Sequence, residues 1–196
     1  NRDSFSHSLA ELLHSVQEGD STHALIYLDL DQFKVINDTC GHAAGDELLL
    51  QTTSVIKSVV RSSDLCARLG GDEFGILLKD SNLEQSMFIA KRLQETLREN
   101  RLIWDNNVFT IGTSIGIVFL DQHSLDLNGV LAAADDACYL AKDEGGNRIK
   151  VYETQKSVFK NRRGQMKWIS RITKALESNN MILFGQEIRR LRKGTD

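Results

Sequence analysis

Four carboxylates carry the chemistry that this chain is equipped to do. Asp29 and Asp31 end the apolar run of residues 24–28, while Asp72 and Glu73 stand in a turn led by Gly70 and Gly71, between the short apolar runs 65–69 and 74–78. Strands of about five residues leave such turn residues at the rim of a sheet, where carboxylates stay hydrated and can converge. Side by side, the two pairs form a hard-oxygen cluster suited to Mg²⁺, which takes one or two protein carboxylates together with substrate phosphates and water. The competing reading is that an aspartate in a turn caps its own backbone. The glycine pair before Asp72, the apolar strand on each side and the second acidic strand end upstream favour the cluster.

The elements that must position these groups follow from periodicity. Residues 8–16 give a short amphipathic helix, and 24–28 a strand that ends in Asp29, Asp31 and a polar turn. A long helix begins at about Gly45, with Leu48, Thr52, Val55, Ile56 and Val59 on one face of a 3.6-residue period. Residues 65–69 and 74–78 read as two strands of a hairpin. A second helix aligns Leu83, Met87, Ala90, Leu93 and Leu97. In the clearest strand, Phe109, Ile111, Ile115, Ile117 and Phe119 alternate with small residues, so that one face is bulky and the other admits a helix or a ligand. A third helix over about 127–142 and a strand over 149–152 close the body. This interleaving points to an α+β or α/β domain with one central, mostly antiparallel sheet covered by helices.

Composition narrows the classes. The 196 residues include no proline where average usage would give about ten, which excludes polyproline spacers and Pro-rich recognition tails. Cys40, Cys66 and Cys138 are odd in number and far apart, which argues against a disulfide framework and a thiolate zinc site and for a reducing compartment. No apolar run approaches the length of a membrane span. The chain begins at Asn1 without a signal-peptide pattern, so it is expected to be a soluble, cytoplasmic fragment, with any membrane anchor confined to an unseen upstream region. The formal charge of -3 is unevenly spread: residues 1–160 hold 15 Lys+Arg and 24 Asp+Glu, a net of -9, and residues 161–196 hold 9 and 3, a net of +6.

Residues 70–74, Gly-Gly-Asp-Glu-Phe, resemble the signature of GGDEF-domain diguanylate cyclases, which join two GTP molecules into cyclic di-GMP with loss of two pyrophosphates. The resemblance extends in order along the body. Asn1-Arg2 followed by Phe5 looks like the end of the family's N-terminal motif. Residues 28–38 (Leu-Asp-Leu-Asp-Gln-Phe-Lys-Val-Ile-Asn-Asp) and 41–46 (Gly-His-Ala-Ala-Gly-Asp) are similar to its metal and nucleotide segments, and residues 113–117 and 134–142 to its later ones. The implied fold is an α+β domain over residues 1–153, with a central, mostly antiparallel five-stranded sheet flanked by helices, palm-like as in nucleotidyl cyclases and polymerases, on a ferredoxin-like core.

The resemblance also implies roles. Asp29, the Leu30 carbonyl and Asp72 would hold metal with Glu73 beside them, two Mg²⁺ or Mn²⁺ ions per active site. Asp72 and Glu73 would be the catalytic carboxylates, with Asp72 serving as base toward the 3′-hydroxyl. Asn37 and Asp46 would read the guanine edge, which favours GTP over ATP because adenine would leave these groups wrongly paired. Lys34 and Lys142 would contact phosphates. Many members carry an arginine four residues after that lysine, whereas this chain has Gly146, which implies weaker phosphate binding unless Arg148 compensates.

Arg61 and Asp64 bound the four-residue stretch 61–64, which five residues separate from Gly70, at the family's product-inhibition spacing. Arg61 offers a bidentate fork to guanine or phosphate and Asp64 an acceptor for the guanine edge, so cyclic di-GMP is expected to bind and inhibit. The alternative is a helix-end ion pair. After a linker over 154–163, residues 164–196 resemble the lead-in helix and first strand of an EAL phosphodiesterase domain without its catalytic Glu-Ala-Leu segment. Here Gln186 is followed by Glu187, where that family usually has proline. A flexible solvated linker is the other reading of this tail; a nucleic-acid-binding arm is not expected. Two functions stay open. One is a cyclase that acts as a homodimer, since a symmetric product needs two facing sites. The other is a GTP-binding regulatory module that controls a downstream phosphodiesterase.

Overall fold

A computed structural model describes residues 2–19, 21–105 and 107–152; the expected linker and the basic EAL-like segment lie outside the described residues. The elements run α1 (Arg2–Glu18), β1 (His23–Leu30), α2 (Phe33–Cys40), α3 (His42–Val59), β2 (Leu65–Gly70), β3 (Glu73–Leu78), α4 (Leu83–Glu99), β4 (Leu102–Trp104), β5 (Asn107–Phe109), β6 (Thr113–Leu120), α5 (Leu127–Asp143) and β7 (Ile149–Val151). Five strands form one sheet in the order β2-β3-β1-β6-β7, antiparallel except for the β6–β7 pair. This is the mixed, helix-flanked five-stranded sheet expected above.

Strand β1 is central, and helices cover both of its faces. Ala24, Ile26, Leu28 and Leu30 pack with Ile76, Leu78, Ile115 and Ile117 against apolar residues of α2, α3 and α4. Leu25 joins Leu77, Val118 and Leu120 against Phe5, Leu9, Leu12, Leu13 and Val16 of α1 and Val130 and Ala133 of α5. Burial on both sides is why residues 24–28 read as an unbroken apolar run rather than an alternation. The small face expected around Gly116 admits α5: a Cβ at Gly116 would lie 2.3 Å from the Ala134 carbonyl oxygen.

Three expectations need correction. The first helix is longer than residues 8–16, because Phe5 is buried in the α1 core one turn earlier. The polar turn after Asp31 is a helix, α2, entered through Gln32 in the left-handed region (φ 60) and separated from α3 only by Gly41. The strand expected over 109–119 is divided. Its start belongs to the separate β4–β5 ribbon, and β6 begins at Thr113, because Gly112 lies against Asp31, whose N–H donates to the Gly112 carbonyl at 2.9 Å. Among the described residues no helix is long and apolar enough to cross a membrane.

At the opposite end of β1, buried His23 ties α1 to the turn after β3. Its Nδ1 accepts from the Asp80 N–H (3.0 Å), so Nε2 carries the proton and donates to Ser15 Oγ (2.9 Å), which itself donates to the Leu12 carbonyl (2.9 Å). Burial pulls the imidazole below its ordinary range, against the opposing pull of Asp80. The unfolded chain therefore takes up this proton first, and stability falls as pH drops below about 6.5. The melting temperature is expected to fall between pH 7.5 and 5.5, and His23→Gln to shrink that fall. An unchanged pH slope in the variant would remove His23 as its source.

Candidate functional site

The site forms at the end of the sheet where β1 finishes and the β2–β3 hairpin turns. In the antiparallel register Asp29 stands opposite Glu73 on one side and Ser114 on the other. Directly opposed residues project on the same face, so Asp29 and Glu73 share a face, and the Leu30 N–H reaches the Asp72 carbonyl at 3.4 Å. Asp29 is buried, while Asp72 and Glu73 are half-buried at the tip. The turn is possible because Gly71 adopts φ +45.

Lys142, from the last turn of α5, crosses to this cluster and places Nζ 2.5 Å from Asp29 Oδ2. The other oxygen, Asp29 Oδ1, is buried with no hydrogen-bond partner. Burial pushes the Asp29 carboxyl up to about 6; the ammonium of Lys142 pulls the other way, and the negative charges of Asp72 and Glu73 push it further up. The carboxylates are thus close enough to repel, and one retains unused acceptor capacity of a kind that native structures rarely leave buried. Among the described residues no set of three His, Cys, Asp or Glu side chains could by itself hold a metal ion. Mg²⁺ does not demand such a set, because it keeps waters and substrate oxygens among its ligands.

Asp31 is not part of this cluster. It accepts from Ser114 Oγ (2.7 Å) and from the Asn147 N–H (2.6 Å), and so pins the loop after α5 to the end of β1. Gly146 lies in that loop at φ +71, and a Cβ there would come within 3.0 Å of Asp31 Oδ2. Arg148 does not take over the place of a residue-146 side chain: it is exposed and 4.0 Å from Glu144.

The two residues expected to read guanine are held by the α2–α3 pair. Asn37 packs on Gly45, where a Cβ would lie 2.0 Å from Asn37 Oδ1, and Asp46 follows at once in α3, exposed. Asn37 Oδ1 is also buried without a partner. Of the four such side-chain atoms among the described residues, two therefore belong to the candidate site. Lys34 is exposed in the first turn of α2. Arg61 and Asp64 lie on the far side of β2, in a turn. Asp64 accepts from the N–H of Arg61 (2.9 Å) and of Lys79 (3.2 Å), so the carboxylate meets backbone rather than the Arg61 guanidinium. Cys138 is buried, its thiol pushed up to about 12 by burial, and its Sγ–H donates to the Ser114 carbonyl at 3.2 Å. It packs under the site as a neutral thiol.

Sequence reasoning missed Tyr27. Its ring lines the same cavity as Glu73, and the available signal was position: two residues before Asp29 on a strand, it shares that residue's face.

Comparison with known proteins bears on the whole arrangement. The family model described as "Diguanylate cyclase, GGDEF domain" matches residues 1–148. The chain is 44% identical over 166 residues to probable diguanylate cyclase DgcE of Escherichia coli K12, covering 85% of this chain and 15% of that protein. It is 36% identical over 194 residues to the cyclic di-GMP phosphodiesterase PdeB of Shewanella oneidensis, covering 97% and 22%. The chain thus spans less than a quarter of the length of either relative. The crystal structure of the GGDEF domain of DgcB from Caulobacter crescentus in complex with c-di-GMP superposes with a TM-score of 0.74 at 29% identity, covering 79% of this chain and 91% of that one. A match of this extent, together with the same sheet and the Gly-Gly-Asp-Glu-Phe hairpin at its rim, establishes that the chain belongs to the GGDEF-domain family of diguanylate cyclases.

Proposed function

We propose that this domain condenses two GTP molecules into cyclic di-GMP and two pyrophosphates. The observation that carries this reading is the convergence of Asp29, Asp72 and Glu73 at one sheet rim, with a buried, unpartnered Asp29 oxygen beside the ammonium of Lys142. Asp29, the Leu30 carbonyl, Asp72 and Glu73 are the groups that hold Mg²⁺ or Mn²⁺, two ions per site. When bound, these ions offset charge on the α-phosphate and the leaving pyrophosphate and ease loss of the 3′-hydroxyl proton. A domain whose first 160 residues carry a net -9 needs such cations to accept a triphosphate.

Asp72 receives the 3′-hydroxyl proton as the 3′ oxygen bonds to the α-phosphorus of the second GTP and the bond to pyrophosphate breaks. Lys142 and Lys34 hold phosphate oxygens, and Asn37 and Asp46 accept or donate at the guanine edge. Because the product is symmetric, two domains face each other as a homodimer, each with its own GTP, and specific activity rises with protein concentration. The substrate places the reaction on the cytoplasmic side of any membrane to which the parent protein is tied. Incubation with GTP and Mg²⁺, following pyrophosphate and cyclic di-GMP, tests this reading; GTP bound at high protein concentration without product would overturn it.

That negative outcome would favour the second reading, a GTP-binding regulatory module for a cyclic di-GMP phosphodiesterase. Its support is Gly146 in place of the family's arginine and the similarity to PdeB along 97% of the chain, which includes the basic EAL-like segment over 164–196.

Cyclic di-GMP also acts as an inhibitor, bound at Arg61 and Asp64. Arg61 is exposed and free to present its fork, while Asp64 is pre-set by two backbone donors. Arg61→Ala removes charge-assisted hydrogen bonds and is expected to raise the half-inhibitory concentration of cyclic di-GMP by roughly 10-fold or more. Inhibition retained at the wild-type concentration would sink the assignment.

A further inference from the structure

Asp31 lies just past the end of β1, and its carboxylate takes no part in the proposed reaction. Both of its oxygens are occupied from far along the chain. Oδ1 accepts from Ser114 Oγ at 2.7 Å and Oδ2 from the Asn147 N–H at 2.6 Å. The backbone here is fixed too, because the Asp31 N–H donates to the Gly112 carbonyl at 2.9 Å. The loop that Asp31 grips passes so near that a Cβ at Gly146 would lie 3.0 Å from Oδ2.

The grip bears on Lys142. Helix α5 ends at Asp143, so Lys142 stands in its last turn, where carbonyls lack intrahelical donors and helices fray. Here the loop supplies those donors. The Gly145 N–H donates to the Lys142 carbonyl (3.0 Å), and the Gly146 N–H to the carbonyls of Ala141 and Lys142 (both 3.1 Å). Asn147, the next residue, is the one that Asp31 holds, and its Oδ1 accepts from the Thr113 N–H at 3.4 Å. A continuous path of backbone and hydrogen bonds therefore runs from the Asp31 carboxylate to the helical turn that carries Lys142, whose ammonium reaches back to Asp29. Lysine is a point charge on a flexible stem, so where its ammonium sits depends on where its backbone is held. We propose that Asp31 is a positioning residue for Lys142: by clamping the loop after α5 to the sheet rim, it keeps the ammonium where the nucleotide phosphates bind. The assignment rests on the cyclase reading for the role of Lys142, not for the clamp itself.

The test uses the full 196-residue chain with Mg²⁺ and a GTP analogue that carries a methylene group between its α and β phosphorus atoms, read by isothermal calorimetry. Asp31→Ala removes both acceptors. It is expected to weaken analogue binding by about 5- to 10-fold and to speed amide exchange over residues 144–148, while circular dichroism shows the wild-type fold. Asp31→Asn keeps an acceptor for the Asn147 N–H and offers a donor to Ser114 Oγ, and is expected to bind within about 2-fold of the wild type. In a Lys142→Met background Asp31→Ala is expected to cost no further affinity, since its effect passes through the missing ammonium. Ser114→Ala, which removes one of the two bonds and leaves the charge, is expected to weaken binding by about 3-fold, and decides the matter should Asp31→Ala fail to fold. Wild-type affinity in whichever of these two variants folds overturns the proposal. Equal losses in Asp31→Ala and Asp31→Asn overturn it too, because they mark a need for the charge of Asp31, as does a loss of equal size with and without Lys142, the signature of a general structural role. Cyclic di-GMP formation by the unaltered chain, measured in parallel, judges the cyclase reading separately.

Discussion

Asp72→Ala is expected to lower cyclic di-GMP formation by about three orders of magnitude while leaving the fold intact. The size follows from the role proposed for the residue: a ligand to the ion and the acceptor of the 3′-hydroxyl proton would be lost together, and removing one preorganised electrostatic group alone costs about 10²–10³ in rate. The fold survives because Asp72 sits at a hairpin tip, and the contact it makes with β1, from the Leu30 N–H to its carbonyl, is backbone to backbone. Stability should even rise slightly without divalent cation, since the charge of Asp72 is among the causes that push the Asp29 carboxyl up to about 6. Function here is maintained at a small cost in stability. Pyrophosphate release and chromatographic detection of the product measure the first effect, and thermal unfolding the second. A variant within tenfold of the wild-type rate would remove Asp72 from the catalytic role.

Lys142→Met is expected to separate nucleotide binding from cation binding. The ammonium touches Asp29 Oδ2 and therefore competes with a cation for the same carboxylate, yet in the proposed reaction it serves the phosphates. Methionine keeps the length and the packing on α5 and loses the charge. GTP binding is expected to weaken by roughly 10-fold or more, the worth of a charge-assisted hydrogen bond, whereas Mn²⁺ binding without nucleotide should tighten. The domain should also lose about 1–2 kcal/mol of stability at pH 7.5. Breaking a fully buried pair costs more, but the Lys142 side chain is 40% exposed and partly screened. The folded value of the Asp29 carboxyl already lies above the unfolded one, and without Lys142 it rises further. The penalty is therefore present at pH values above the folded value and disappears on acidification, as the carboxyl takes up its proton. Isothermal calorimetry with GTP and Mn²⁺ separately, and melting at pH 7.5 and 5, read all three effects. Weaker Mn²⁺ binding would show that Lys142 organises the cation site rather than competing for it.

Much of this was legible in the chain because it is local. The hairpin around residues 70–73 announces itself by two glycines between apolar runs, and Leu48, Thr52, Val55 and Ile56 mark the buried face of α3 by helical spacing alone. The carboxylates at strand ends, and the order in which motif segments follow one another, also need only the sequence. Element ends were less legible. Helix α2 hides because its eight residues bury only Ile36 fully, and its entry depends on Gln32 adopting a left-handed conformation that no residue type demands.

What the sequence determined by itself is therefore the kind of domain and the cast of charged residues, since periodicity and residue type are properties of near neighbours. Which of those residues meet is settled by contacts between segments far apart in the chain. Asp29 and Asp31 look equivalent two positions apart, yet Asp29 faces the hairpin carboxylates and Lys142, 113 positions on, whereas Asp31 is consumed by Ser114 and Asn147. The separation of the two aspartates arises from the strand register and from where α5 lands on Gly116. A carboxylate becomes a ligand or a structural pin according to the donors that distant segments bring to it, and the chain folds those donors into place by burying apolar faces elsewhere.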